Sequence, residues 1–257
     1  MTDEQRAKAE RLRELHRAPP ILVLPNAWDA ASAKLFERAG ARAIATTSAP
    51  IAWGHGYPDG ERISREEMIA MVGRIAAAVD LPVTADLEAG YGDAAATAEA
   101  AIAAGAVGLN LEDEGGDAAE HVRRIEAVRE ASVELVINAR TDVLARGTGD
   151  VDDAVARSNA YLAAGADCAF VLGPTAADVI GELAKRVSGP LAILAVAGTP
   201  PAAELEQLGV ARVSIGPGLA RAALTAAEDA ARELLERGTY AFLDDAIASS
   251  DLNRLLG

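Results

Sequence analysis

LPVTADLEAGYGDAAATAEAAIAAGAVGLNLEDE, residues 81–114, holds the pattern on which the fold turns. A short apolar run, Val83–Leu87, gives way to the alanine-rich stretch Ala94–Ala104 with helical spacing; Gly105 follows, and a second apolar run, Val107–Leu111, begins. Glycine ends a helix readily because it enters the left-handed backbone region without a Cβ clash. Strand, helix and strand joined by short connections predict a parallel βα unit.

The same unit repeats outward in both directions. Strands are predicted at Ile21–Pro25, Ala43–Thr47, Val83–Leu87, Val107–Leu111, Leu135–Ala139, Cys168–Leu172, Leu191–Val196 and Arg212–Ile215. Between them Arg65–Val79, Ala94–Ala104, Ala119–Glu130, Val151–Ala163, Ala176–Val187 and Leu219–Glu236 read as helices, several with Asp or Ser ahead of them as caps. That strand count fits an α/β chain closed into a single (β/α)8 TIM barrel. The first strand runs into PNAWDAAS, residues 25–32, and not into the glycine-rich turn of a dinucleotide-binding sheet. No linker divides residues 1–257, so one domain is expected, with 1–19 as a leading helix. After Gly238, residues 239–257 read as an amphipathic helix that the barrel does not require, free to cover it or to bind a neighbouring subunit.

A formal charge of −15, from 24 basic and 39 acidic residues, sets a field that repels phosphate backbones and anionic lipid, so neither nucleic acid nor membrane is an expected partner. The opening MTDEQRAKAERLRELHR is charged throughout and is neither a signal peptide nor a spanning helix. A lone Cys168 cannot form an internal disulfide, in keeping with a reducing cytoplasm; nothing near it in sequence would activate a thiolate, and it is expected to pack as a small apolar residue.

In a barrel the chemistry sits where strands end. The third strand runs into Asp86 and Glu88, which a period of two places on one face with Leu87 on the other. The fourth ends in Glu112 and Asp113, and the fifth in Arg140 and Asp142. Acids gathered at neighbouring strand ends repel unless neutralised, and a hard divalent cation answers that need: Mg2+, with Mn2+ as the alternative, binds through one or two carboxylates and keeps several waters. The competing reading makes these acids helix caps or partners of rim lysines and arginines, above all for Asp113 and Asp142. Arg140 suits a substrate carboxylate or phosphonate, or else a salt bridge to Glu112. His16, His55 and His121 all fall away from strand ends, which argues against a histidine-ligated zinc. The segment Thr46–Pro50 offers N–H groups and hydroxyls to an anion. Asp59 in GYPDGE reads as a turn residue, and Trp28 and Asp29 as a packing residue and a cap.

Five motifs in order, PNAWDAASA (25–33), TTSAPIAWGHGYPDG (46–60), TADLEAGYGD (84–93), GLNLEDE (108–114) and INARTDV (137–143), resemble the isocitrate lyase and phosphoenolpyruvate mutase superfamily, over about Pro25 to Gly218. The resemblance implies a (β/α)8 barrel, Mg2+, and a homo-oligomer, tetramer or dimer, that exchanges C-terminal helices. Position by position it implies Asp86 as the metal ligand, Glu88 and Glu112 holding metal-bound water, Arg140 on the substrate, Asp59 reaching in from the second loop, and Thr47, Ser48 and Ala49 gripping a substrate carboxylate. Trp28, in the first motif, joins the substrate-binding candidates, and Asp59, Glu112 and Arg140 the catalytic ones.

The shared chemistry of the superfamily is cleavage at C3 of a small 2-oxo acid through a pyruvate enolate. Glu114-Gly115-Gly116-Asp117 stands where isocitrate and methylisocitrate lyases carry a Lys-Lys-Cys-Gly-His loop, and Val171-Leu172-Gly173 stands where some relatives place His or Glu. This short-lid sequence is similar to the branch containing oxaloacetate decarboxylase and carboxyphosphonoenolpyruvate phosphonomutase. Isocitrate cleavage is therefore not expected. A Mg2+-dependent lyase, most concretely one that decarboxylates oxaloacetate, is the leading expectation, with phosphonopyruvate-type P–C chemistry and a barrel that binds a 2-oxo acid without turnover as the alternatives.

Overall fold

The computed structural model describes all of residues 1–257. A leading helix α1 (Asp3–Arg17) precedes β1 (Leu22–Leu24) and β2 (Asn26–Ala27), then α2 (Ala30–Arg38), β3 (Ile44–Thr46), α3 (Ser48–Gly54), α4 (Arg65–Ala78) and β4 (Val83–Asp86). There follow α5 (Ala94–Ala103), β5 (Gly108–Glu112), α6 (Ala118–Ala131), β6 (Val136–Thr141), α7 (Val143–Arg146) and α8 (Val151–Ala163). The chain ends with β7 (Cys168–Val171), α9 (Ala177–Arg186), β8 (Leu191–Leu194), α10 (Ala202–Leu208), β9 (Arg212–Ser214), α11 (Gly218–Arg237) and α12 (Ser249–Leu256).

All nine strands pair in parallel, in the order β1-β9-β8-β7-β6-β5-β4-β3-β2. β1 and β2 are one barrel strand interrupted at Pro25, whose ring lacks the N–H that would continue the ladder. The first half pairs with β9 and the second with β3, so eight strand positions complete the ring.

Side-chain caps start most of the long helices: Thr2, Asp29 and Ser64 in reciprocal capping boxes, and Asp93, Asp117 and Asp150 singly. Leu12 and Leu15 of α1 pack with Leu22, Leu24, Ala43, Ala45, Val107 and Val136, four of them at or just before strand starts, so α1 covers the end of the barrel opposite the strand C-termini. Gly108 permits that close approach, since a Cβ there would meet Leu12 Cδ2 at 2.9 Å and the Val136 carbonyl at 3.0 Å.

Three expectations need correction. Helices α2, α3, α7 and α10 were not read from the sequence; α3, α7 and α10 are at most seven residues long, too short to display a full apolar period. Residues 239–257 do not form one helix: a 3-10 turn at Ala241–Leu243 is followed by α12, which packs against α2 of its own chain. Asp244 and Asp245, poor helix formers, lie in the gap. Third, β4 stops at Asp86, so Glu88 does not reach the mouth through the pleat of the strand; it adopts a left-handed φ of 51° just beyond it. No helix is long and apolar enough to cross a membrane.

Candidate active site

Asp86, the last residue of β4, is buried and held on one side only. Ser48, at the start of α3, donates to its Oδ2 from the backbone N (3.0 Å) and from Oγ (2.8 Å), and the Asp86 N–H donates to Thr46 Oγ1 at 2.8 Å. The other oxygen, Oδ1, is sealed from solvent and meets no donor. A buried anionic oxygen without a partner is costly, and a cation is what would satisfy it. No three His, Cys, Asp or Glu side chains converge closely enough to ligate an ion directly. A cation held here would therefore take Asp86 as its protein ligand and water for most of the rest, which suits Mg2+ or Mn2+ and not a soft metal.

Two further acids stand behind Asp86. Glu88 Oε2 accepts from the Glu61 N–H at 2.6 Å and its Oε1 from the Tyr91 hydroxyl at 2.9 Å. Burial, with Asp86 and Asp59 nearby, still pushes the carboxyl up to about 7. Glu112 faces Arg140 across the β5–β6 register and pairs with its Nη1 at 2.5 Å. Here too burial dominates and raises the carboxyl to about 8, against the pull of Arg140 and with Asp86, Asp142 and Glu88 adding repulsion. Arg140 also clasps Asp142 through Nε (2.6 Å) and Nη2 (2.7 Å). Burial works against its charge, but Glu112 and Asp142 together raise its pKa above the usual arginine value. Three of its N–H groups are thus engaged, and one remains on each terminal nitrogen for a ligand.

Of these groups Asp86 and Arg140 border a cavity of about 170 Å³ at the C-terminal mouth of the barrel, while Glu88, Glu112 and Asp142 do not line it. Thr47, Ser48, Ala49, Asp59, Asp86 and Arg140 line it, so the fold brings these candidate residues to one cavity. Asp59 is exposed at the rim; crowding by protein, then the charge of Asp86, raise its pKa. Ser48 departs from its expected part, since its N–H and hydroxyl serve Asp86 and not a free anion. Trp28 is not brought to the cavity: it packs edge-on against Phe36, ring centroids 6.1 Å apart, and borders a separate crevice with Pro50, Trp53 and Ala220. Asp113 and Asp142 follow the structural alternative, Asp142 as the clasp on Arg140 and Asp113 in a turn that accepts from Gly115, Asp142, Tyr161 and Arg157. Cys168 is fully buried and its thiol is pushed up to about 12 by burial.

The remaining walls were not identified from the sequence. Phe170 and Leu172 follow from β7, and Leu194 from β8, across the ring from β3 and β4, giving the cavity an apolar side opposite Asp86. Asn26 and Asn110 add amides; Asn26 Oδ1 accepts from the N–H groups of Ile215 and Gly216, tying the first strand to the last. The motifs PNAW and GLNLEDE contain both asparagines, and an inward amide at a strand end was the available signal. The short loop after β5 is a tight turn: the Gly116 N–H donates to the Asp113 carbonyl at 2.8 Å, and Glu114 and Gly115 have positive φ.

Comparison with known proteins bears on this geometry. Residues 12–235 match the family described as phosphoenolpyruvate phosphomutase. A solved protein of Burkholderia cenocepacia J2315, with a provisional lyase/mutase description, is 40% identical and superposes with a TM-score of 0.91 over 98% of this chain and 96% of that one. Oxaloacetate decarboxylase of Rhodopseudomonas palustris (strain HaA2) is 35% identical over 179 residues, 62% of this chain and 60% of its own length. A phosphonopyruvate hydrolase solved with oxalate and Mg2+ is 25% identical, with a TM-score of 0.87 over 96% of this chain and 94% of that one.

Proposed function

Since the chain belongs to the phosphoenolpyruvate phosphomutase family, we propose that it is a divalent-metal-dependent lyase that breaks the bond at C3 of a small 2-oxo acid, most concretely decarboxylating oxaloacetate. The observation that carries this reading is the mixed lining of the cavity: Asp86 with its partnerless oxygen stands across the ring from Leu194, and Arg140 on β6 stands beside Phe170 of the apolar wall that Leu172 and Leu194 continue.

Asp86 would hold the ion, with Glu88 and Glu112 fixing its water; when bound, the ion supplies Lewis-acid stabilisation of negative charge on the substrate. The two free N–H groups of Arg140 receive a substrate carboxylate, and Asp142 and Glu112 keep the guanidinium from turning away. The apolar wall faces the carboxylate that leaves, where poor solvation favours neutral carbon dioxide over the anion. The electron pair of the C3–C4 bond passes into the enolate, whose charge Arg140 stabilises. A proton then reaches C3 from solvent or from Asp59 at the mouth, giving pyruvate.

Arg140 is the only cationic side chain lining the cavity. A phosphonate dianion asks for more positive charge than that, so the carboxylate reading is preferred over P–C cleavage. The test is product analysis with Mg2+ and, separately, oxaloacetate and phosphonopyruvate. Carbon dioxide and pyruvate above the spontaneous rate are expected; inorganic phosphate or phosphoenolpyruvate would move the assignment to phosphonate chemistry. Oxalate binding without turnover of either compound would leave a binding protein.

For the assembly we propose a homo-oligomer. Leu224, Leu234, Leu235, Tyr240 and Leu243 are exposed along α11 and the turn after it, an apolar surface suited to a second copy. Light scattering that returns the mass of one chain would refute it.

A further inference from the structure

Beneath the cavity, Arg212 of β9 is completely buried without a carboxylate partner. Its Nη2 donates to Asn110 Oδ1 at 3.1 Å, its Nη1 faces His16 Nε2 at 3.4 Å, and its Nε has no acceptor. Burial pulls the guanidinium down to about 10, still cationic at neutral pH. A buried charge is usually paired, because an unpaired one costs several kcal/mol by order of magnitude. The amide oxygen of Asn110 is the nearer of the two neutral groups, with the His16 ring nitrogen, that this cation meets.

That contact dictates how Asn110 must lie. Guanidinium nitrogens only donate, so the oxygen of the Asn110 amide has to face Arg212. Asn138, its register partner on β6, donates to the same oxygen from Nδ2 at 2.7 Å, and reversing either amide would set two donors or two acceptors against each other. Asn110 is in turn the register partner of Asp86 on β4, and it lines the cavity. With its oxygen taken by Arg212 and by Asn138 on the neighbouring strand, the Nδ2 group is the end without a protein hydrogen bond.

We propose that Asn110 is a substrate-binding residue that donates from Nδ2 to an oxygen of the bound 2-oxo acid beside Asp86, and that Arg212 is the positioning residue that locks its amide in that sense. The inference rests on the reading of the cavity as a site for a small anionic acid. Asn138 supports the arrangement as the second donor to the same oxygen. The cation also lies on the side of the acid cluster remote from solvent, where its field favours an anion in the cavity.

Oxalate, titrated by calorimetry in excess Mg2+, reads the donor without requiring turnover. Asn110→Ala is expected to weaken oxalate about tenfold or more, the usual worth of a hydrogen bond to a charged group. Asn110→Asp is expected to melt at the same temperature or higher, because the new carboxylate pairs with Arg212, and to bind oxalate at least about a hundredfold more weakly. A purely structural amide would give no such opposed pair of results. Arg212→Lys is expected to weaken oxalate in the native background and to have no further effect in Asn110→Ala, since it acts through that side chain. Oxalate affinity within threefold of wild type in both Asn110 variants overturns the inference and leaves the site intact. Wild-type protein that binds no oxalate with Mg2+ removes the site reading and the inference together.

Discussion

Glu112 and Asp113 are neighbours in the chain, and they have opposite fates. The pleat sends successive side chains to opposite faces of the sheet, so Glu112 joins the acids at the mouth while Asp113 turns to the helix layer. Asp113 accepts from two backbone N–H groups, from Tyr161 at 2.7 Å and from Arg157 at 3.1 Å. Burial alone would raise its pKa, but those donors outweigh it and the net shift is downward. Glu112 shares Arg140 with Asp142, faces Asp86 and Glu88, and is pushed up to about 8. Acids whose counter-charge the protein supplies hold the fold together. The acids at the mouth, Asp86, Glu88, Glu112 and Asp142, have the single cation Arg140 among them, and that shortfall is what a bound cation would make good.

The sharpest way to break this contrast is Asp86→Asn. Ser48 can still serve one oxygen, while the amide nitrogen takes the place of the partnerless Oδ1. Turnover of oxaloacetate is expected to fall at least a thousandfold and the Mg2+ requirement of oxalate binding to disappear, by order of magnitude from removal of one strong transition-state contact. Without metal the variant is expected to melt no lower than wild type, because a repelling charge has been removed. A variant that keeps Mg2+-dependent oxalate affinity would show that Asp86 is not the ligand.

Asp113→Ala should act the other way round. It removes the acceptor of the Tyr161 hydroxyl and one of the two carboxylates on Arg157, which keeps Asp153 at 3.0 Å, and loss of such buried hydrogen bonds costs about 1–3 kcal/mol. Urea denaturation should show that loss, while oxalate affinity of the folded protein stays within a few-fold. If stability were unchanged and oxalate binding lost, Asp113 would belong with the mouth acids after all.

The sequence made half of this contrast legible. Strand periodicity and glycine stops place the eight strand positions, and the acids at three strand ends announce the mouth. Which acid finds donors depends on residues distant in the chain. Tyr161 and Arg157 reach Asp113 from α8, and Glu61 reaches Glu88 from a loop, pairings that no local pattern contains. Glu88 illustrates the limit well, because a strand period puts it at the mouth for the wrong reason and a left-handed residue puts it there in fact. Trp28 shows the reverse case, a residue in a recognisable motif whose ring is drawn aside by Phe36. The apolar wall of Phe170, Leu172 and Leu194 was hidden because strand-end hydrophobics look like any other core residues.

The helix-side cluster offers a last, smaller test through His121, which packs on Tyr161 with ring centroids 4.6 Å apart. It is completely buried, neither ring nitrogen has a partner, and burial followed by the Arg124 charge lowers it to about 4. The folded value lies below the unfolded one, so the neutral ring's contribution is fully present above about pH 6.5 and is lost as pH falls through about 4. The full shift corresponds to a loss of about 3 kcal/mol of stability at acid pH and no loss near pH 8. His121→Phe keeps the packing against Tyr161 without a group to protonate. Its stability, measured by urea denaturation from pH 8 to 4, is expected to fall less steeply than wild type, with oxaloacetate turnover at pH 8 unchanged. Parallel curves for the two proteins would mean that the Asp113 side also contains a titrating group stabilised by its charge, and the division between the two faces of β5 would have to be redrawn.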